Sequence, residues 1–574
     1  KAPLELRMSR SSPGRYALHE FAKNVYDVHA FAPDGRQIAM RRPDPYGWSV
    51  SPPGDSVRVT YKVFGDQVDG TYLAVDTTHA HINMPARFMG ARDLVERPIR
   101  ISFVAPKGAD WKVATQLFPT ADPFTFTAPN LQYFMDSPTE FGPVWEYAFS
   151  IPDAGAQPGR FRIALHHEAS EADAKKYATG IEKIVAEERA VFGEFPAYEP
   201  GGYTFLADFL SYAHGDGMEH RNSTVMTGRR SLSSEVGIDD ALDTAAHEFF
   251  HSWNVERIRP ATLEPFDFER ANMSGELWLA EGFTSYYGAL VMQRTRLASL
   301  GDTLTNFGST VNWVINHPGT KVRTAVEMSE MAPFVDAAEW ADPTNFEVTF
   351  LSYYTWGEGI ALALDLSLRD LTNGRVTLDD YMRAMWRAHG RPGAPQPGLV
   401  GRPYTLSDAR ARLAEVSGDA RFADDFFSKY IEGHDAPDYA HLLQRAGLVL
   451  KRRSPGAAWI GDLRFQNDPD GIRLTSLTAP GTPAYAAGLD ADDVIVKVGD
   501  RSVRSADEFV NAFARSKPGD AMKVAFIRRG KAANATVTLA EDPTLEIVPA
   551  ESEGDQLSPA QQQFRQAWLS SRAH

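Results

Sequence analysis

Residues 247–251 read His-Glu-Phe-Phe-His, a spacing that puts two imidazoles one turn apart on the same face of a helix. Two neutral imidazoles so placed suit a single zinc ion, and zinc lowers the pKa of a bound water toward about 7. Glu248, beside the first imidazole, is placed to take a proton from that water and make it a nucleophile for a carbonyl carbon. The same five residues also fit a buried helix whose histidines are satisfied by other partners, so the flanking sequence has to decide.

Asp239 and Asp240 precede the run Ala241–Ala246, which predicts a helix with acids in its first turn that carries His247 to His251 and loses its pattern near Asn254. Zinc ordinarily takes a third protein ligand and keeps a fourth position for water. Downstream, Glu276–Tyr287 is apolar and helix-prone, with Glu281 embedded in it. Burying an unpaired carboxylate is costly. A cation shared with His247 and His251 removes that cost; an arginine partner or exposure to solvent are the alternatives.

Trp278-Leu279-Ala280-Glu281-Gly282-Phe283 resembles the Trp-Leu-x-Glu-Gly-Phe block of the gluzincin metallopeptidases, whose glutamate is the third zinc ligand. More narrowly, His247–Pro260 and Glu281–Tyr287 resemble the glycyl aminopeptidase family, which carries a C-terminal PDZ domain. The spacer between His251 and Glu281 is longer than in the classical neutral aminopeptidases, as it is in that family. Ser12-Pro13-Gly14-Arg15-Tyr16 and Glu20-Phe21-Ala22-Lys23 extend the resemblance over essentially the whole chain. It implies one Zn2+ per chain, held by His247, His251 and Glu281, with Glu248 as the general base.

The resemblance also implies roles outside the metal set. Gly217-Met218-Glu219-His220 matches the strand, Gly-x-Met-Glu-Asn in the classical enzymes, that pairs with the substrate backbone and whose glutamate binds the free α-amine. Gly217, Met218, Glu219 and His220 are therefore expected to bind substrate, with Glu219 as the anchor. A carboxylate suits this task, because an exopeptidase must fix one positive charge near the scissile bond by a charge-assisted hydrogen bond. An exposed strand residue is the plain alternative for Glu219. His214 and His220 read as substrate-side polar groups or surface rather than as ligands. Tyr353-Tyr354-Thr355-Trp356-Gly357 resembles the family's Tyr-x-Lys-Gly segment and selects Tyr354 as the donor to the oxyanion, a role worth about 2.7–4 kcal/mol. Trp356 stands where Lys is usual, and Tyr353 is the second candidate; both tyrosines also fit as packing residues.

The implied activity is a zinc-dependent aminopeptidase acting on peptides with a free N-terminus and a small first residue, Gly and then Ala. That preference comes from the family alone. A zinc endopeptidase, epoxide hydrolysis on the same scaffold, and a PDZ-type binding protein with an inactive peptidase lobe are the competing readings. A complete metal set with Glu248 speaks against the last.

The elements that must hold these residues follow from length and pattern. A chain of 574 residues exceeds one core and fits three domains. Hydrophobic content of 43% indicates ordinary globular cores. A net charge of −16 argues against nucleic acid as a partner. No apolar run reaches the ~20 residues of a membrane span. The absence of cysteine excludes disulfides and thiol catalysis. A chain that starts at Lys1 without Met leads us to expect a removed signal peptide and a periplasmic or secreted enzyme.

The fold class expected is multidomain. Residues 1–168, with alternating segments such as Val57–Val63 and Ile99–Val104, predict an all-β sandwich-like domain, left through the Pro/Gly-rich stretch Ile151–Gly159 and one more strand. Residues 169–450 predict a mainly α, thermolysin-like catalytic domain. It opens on a cap at Ser170–Asp173, has Tyr177, Ile181, Ile184 and Val191 at helical spacing, and includes one small strand region near 203–226. Residues 456–545 resemble an α+β PDZ domain through Gly481–Leu489 and Asp492–Asp500. Such a domain takes an extended peptide by strand addition, though bulky Trp459 in its candidate carboxylate loop speaks against this, and a structural role packed against the catalytic lobe is the alternative. Residues 546–574 form a tail ending in an amphipathic helix that starts at Ser558-Pro559.

Overall fold

The computed structural model describes residues 3–153, 157–338 and 342–573. In the N-terminal region, short antiparallel strands pair into small sheets. Leu4–Met8, for example, lies between Gly47–Val50 and Met89–Ala91. Side chains alternate along Arg58–Val63 as a half-buried strand requires. The inward residues, among them Met8, Trp48, Phe126, Tyr133 and Phe141, form a core of their own.

Two strands counted with this region from sequence belong elsewhere. Trp145–Ile151 and Gly159–His167 pair with each other and continue into a sheet with Tyr203–Phe209, Ser223–Gly228 and, at its edge, Asp216–His220. The reason is burial on both faces. Phe161, Ile163 and Leu165 point into the large core of the catalytic domain, while Ala164 meets Leu206, Val225, Ala114 and Val144 on the other side. A strand covered on both faces is held by neighbouring strands and cannot serve as the edge of a separate sandwich. Ala154–Ala156, within the connecting stretch, lie outside the described residues.

The helices of the catalytic domain start where their caps dictate. Ser170 and Asp173 form a reciprocal capping box at the head of Glu171–Phe192. Helix Glu235–Phe250 begins one turn earlier than Asp239 and Asp240 indicate, because the Ser234 hydroxyl accepts from Gly237 N at 3.0 Å and fixes the first turn there. The helix ends at Phe250, so His251 is its C-cap. The segment around Glu281 is two helices, Leu277–Ala280 and Gly282–Arg294, meeting at Glu281 itself.

Residues 465–538 make a sheet with its own core around Ile472, Leu489, Val524 and Phe526. Gly471–Leu474, helix Pro483–Ala486 and Val494–Val498 follow in the order the PDZ resemblance implies. Helix Pro559–Leu569, capped by Ser558, returns to the catalytic domain, where Trp568 Nε1 donates to the Tyr286 hydroxyl at 2.9 Å. Among the described residues no helix is long and apolar enough to cross a membrane.

Helices Gly282–Arg294 and Tyr353–Thr372 carry Glu281 and Tyr354 at their heads, and glycines let them touch. A Cβ on Gly357 would overlap the Trp278 carbonyl oxygen and lie 2.7 Å from Gly282 Cα. Neither contact is the flexible end of a side chain, so the helices themselves must move. Gly357→Ala is expected to lose about 1–3 kcal/mol of stability, the usual cost of overpacking, together with most activity. Thermal unfolding and assay at a permissive temperature measure the two losses.

Glu358, one residue on, accepts from Asn306 Nδ2 at 2.9 Å and Thr310 Oγ1 at 2.5 Å, yet burial pushes its pKa up to about 7. The folded protein therefore keeps this proton at pH values where the unfolded chain has released it. Stability must fall as pH rises from about 4.5 to about 7, by roughly 3 kcal/mol for this group. Glu358→Gln removes the slope. Its melting temperature relative to the unsubstituted protein should be higher at pH 8 than at pH 5.5, and an equal difference at both would refute the assignment.

Candidate metal centre and substrate cleft

His247 Nε2 and His251 Nε2 lie 3.1 Å apart, and Glu281 Oε2 lies 3.5 Å from the first and 3.2 Å from the second. A tetrahedral zinc with bonds of ~2.0–2.1 Å needs donor atoms about 3.3–3.4 Å apart, so the triangle fits that ion. Its orientation is built in. His251 Nδ1 donates to the Asn254 carbonyl at 2.5 Å, which leaves the Nε2 lone pair free to point at the other two donors. Asn254 Nδ2 in turn donates to the carbonyls of Leu279 and Ala280, each at 3.1 Å, and so ties the loop after His251 to the turn that presents Glu281. Burial opposes a charged His251, but Glu281, Glu219 and Glu248 outweigh it and raise its pKa to about 10. Burial likewise opposes an ionised Glu281, which His251 and His247 nevertheless hold well below the usual carboxylate range. A divalent ion at this centre takes the place of a proton on His251.

The two other carboxylates expected from sequence are brought to the same place. Glu219 and Glu248 each have an oxygen within 4.8 Å of a His251 nitrogen. Burial pushes Glu248 up to about 8, and its Oε2 is enclosed without a hydrogen bond. Gly217 lies flat against it: a Cβ there would overlap Glu248 Oε1, which is why the edge strand can approach the metal helix so closely. Glu219 is 5% exposed, and burial raises it well above the usual range. Tyr354, at the head of its helix, holds its ring 6.0 Å from that of His247, whereas Tyr353 is buried against Tyr16. Met218 and His220 are fully enclosed. Met218 packs on Gly14 and Gly70, and His220 Nδ1 pairs with Asp136 at 2.8 Å. Neither side chain lines a cavity at the site, because strand alternation turns both away from Glu219. His214 is exposed on the cleft wall.

The N-terminal domain supplies what sequence reasoning left out. The Tyr16 hydroxyl donates to Glu281 Oε1, and Tyr16 N donates to Asp336 at 3.1 Å. Arg15 pairs with Asp216 and donates to the Gly217 carbonyl at 3.2 Å, fastening the edge strand. Ser12–Tyr16 was legible as a family block, but nothing in its spacing ties it to Glu281.

Two spaces border these residues. One is a cleft of about 770 Å³ lined by His214, Gly217, Arg229, Asp243, His247 and Glu248 among others. The other, of about 30 Å³, is lined by Glu219, Tyr16, Val255, Phe266, Glu256 and Arg259 among others.

The chain is similar to known proteins in sequence and in fold. The Peptidase M61 N-terminal domain matches residues 1–143, M61 glycyl aminopeptidase matches residues 240–360, and a PDZ domain matches residues 461–539. The crystal structure of an aminopeptidase N family protein from Idiomarina loihiensis has the same fold, with a TM-score of 0.82 at 22% identity over 99% of this chain and 96% of that one. An M1 zinc metallopeptidase from Deinococcus radiodurans is 15% identical over 76% of this chain and 88% of its own, at a TM-score of 0.41. The serine protease Do-like HtrA of Lactococcus lactis subsp. cremoris is 42% identical over 71 residues, 12% of this chain, and the match spans 17% of that protein's length. Both domains of that family are thus matched in order with a PDZ domain after them, and over those residues the chain is similar to the M61 glycyl aminopeptidases.

Proposed function

We propose that the protein is a zinc-dependent aminopeptidase that hydrolyses the first bond of peptides beginning with glycine or, next, alanine. The observation that carries this reading is the convergence of His247 Nε2, His251 Nε2 and Glu281 Oε2 beside two further buried carboxylates, Glu219 and Glu248. The first three residues would hold one catalytic zinc. When bound, that ion supplies a Lewis acid that polarises a carbonyl and eases deprotonation of water.

The side chains account for the remaining work. Glu248 Oε2, enclosed and without a hydrogen bond, accepts the proton of the attacking water and returns it to the departing amine. Glu219 binds the substrate ammonium and sets its distance from the centre, so only the first peptide bond is in reach. The Tyr354 hydroxyl donates to the oxygen on which negative charge develops. Arg15 and Asp216 hold the strand, and Tyr16 steadies Glu281. The space of about 30 Å³ beside Glu219 is the candidate pocket for a small first side chain. The PDZ domain is a second module for an extended peptide segment.

An endopeptidase on the same centre is the competing reading, and blocking the amine separates the two. Acetylation of a Gly-initiated peptide should lower kcat/KM by about 10- to 100-fold, the worth of a charge-assisted bond. Equal cleavage of both substrates would transfer the protein to the endopeptidases. In parallel, Glu248→Gln should keep its zinc and lose about 10²- to 10⁴-fold in kcat.

Tyr16 gives a prediction about the metal alone. Tyr16→Phe leaves Glu281 Oε1 buried without its donor, and zinc affinity, read by chelator competition, should fall about 10- to 100-fold. Unchanged affinity would remove the N-terminal domain from the metal centre.

A further inference from the structure

A second cluster of imidazoles and carboxylates is buried between the N-terminal domain and the catalytic sheet. It shares no residue with the catalytic set. His79 and His81, from the N-terminal domain, face Glu140, and Asp208 and His166 come from neighbouring strands of the catalytic sheet. Side-chain exposures are 1% for His79, 0% for His81, 1% for Glu140, 0% for Asp208 and 16% for His166. Among the described residues no arginine or lysine forms an ion pair with these two carboxylates.

The protons can be placed. Thr78 Oγ1 donates to Asp76 Oδ1 at 2.6 Å, so its contact of 3.1 Å with His79 Nδ1 requires the histidine to be the donor. His79 Nε2 lies 3.3 Å from Asp208 Oδ2 and donates to it in the ion-free protein, a proton that a cation would replace. His166 Nδ1 lies 3.8 Å from Asp208 Oδ1, and both atoms are buried without a hydrogen bond. The two rings pack at 4.1 Å between centroids, too close for both to carry charge. One donor atom from each of His79, His166 and Asp208 lies within 4.8 Å of the others. Behind them His81 Nδ1 pairs with Glu140 and stands 3.9 Å from Asp208 Oδ2.

We propose that His79 Nε2, His166 Nδ1 and the Asp208 carboxylate bind a second divalent cation of the zinc class, which clamps the N-terminal domain to the catalytic sheet. The chemistry selects the ion. Two imidazoles with one carboxylate favour zinc, cobalt or nickel over calcium or magnesium, which prefer all-oxygen sites. A cation would satisfy Asp208 Oδ1 and His166 Nδ1, each of which is otherwise an unpaired buried polar atom. The partly exposed edge at His166 provides the way in. The site is structural: Asp208 lies one strand away from the strand that carries Met226 and two from the substrate strand, and neither cavity of the catalytic centre reaches it. By joining His79 to Asp208 it would hold in register the domain that delivers Arg15 and Tyr16.

The test uses the full chain with the catalytic centre disabled, so failure of the peptidase reading cannot imitate failure of this one. His247→Ala/His251→Ala protein is loaded with zinc, desalted and analysed by mass spectrometry of the metal, and its melting temperature is taken with and without zinc. About one equivalent should remain, and zinc should raise the melting temperature. Adding His166→Ala, a change at the exposed edge, should abolish both effects while circular dichroism shows the fold intact, and Asp208→Asn should do the same. A folded His247→Ala/His251→Ala protein that retains no zinc, or one whose zinc survives both added substitutions, would show that the cluster is a network of hydrogen bonds and ion pairs only.

Discussion

The Nε2 atoms of His247 and His251 and Oε2 of Glu281 stand about one zinc tetrahedron edge apart, although the second histidine and the glutamate are separated by a long stretch of chain. Local helix geometry explains the two histidines and cannot explain the glutamate. What closes the triangle is a set of small, rigid devices: the Asn254 side chain spanning two backbone carbonyls, the break between helices at Glu281, and the contact of Gly282 with Gly357 that lets the helix of Tyr354 lie directly against it. Each device trades side-chain bulk or backbone freedom for position. Catalysis by polarisation needs that trade, because a donor displaced by an ångström loses most of its effect.

Charge follows position. Glu219, Glu248 and Glu281 are buried together with His251, and His247 is half-buried beside them; burial holds protons on Glu219 and Glu248 that arriving cations would displace. In the proposed reaction those cations are the metal and the substrate ammonium. The N-terminal domain takes part in this balance, since Arg15 neutralises Asp216 at the edge of the cleft and Tyr16 donates to Glu281. In that proposal the domain is part of the catalytic unit, and the cation proposed at its seam would be the joint that keeps it seated.

The meeting of His247, His251 and Glu281 was legible because its signal is local: two histidines one turn apart, and a glutamate in a run too apolar to hold it unpaired. Glu219 and Tyr354 were legible only through resemblance, since a strand carboxylate and a helix-head tyrosine have no spacing of their own. The start of the metal helix was misplaced because acids in a second turn resemble acids in a first, while the cap at Ser234 lies farther upstream. Strands Trp145–Ile151 and Gly159–His167 were given to the wrong sheet because alternation reports burial and not partners. Met218 and His220 were expected at the substrate, but pleating sends them to the opposite face from Glu219. The walls of the small cavity, Val255, Leu263 and Phe266, were silent, as apolar residues from a loop carry no mark of what they enclose.

The proposed function depends on one ion held by two imidazoles and a remote carboxylate. Anomalous diffraction from zinc-loaded crystals, collected on both sides of the zinc absorption edge, probes that grip without relying on activity. A strong edge-dependent peak is expected within about 2.0–2.2 Å of His247 Nε2, His251 Nε2 and a Glu281 oxygen. A centre without such a peak in zinc-saturated crystals, or a peak that Glu281 does not touch, would contradict it.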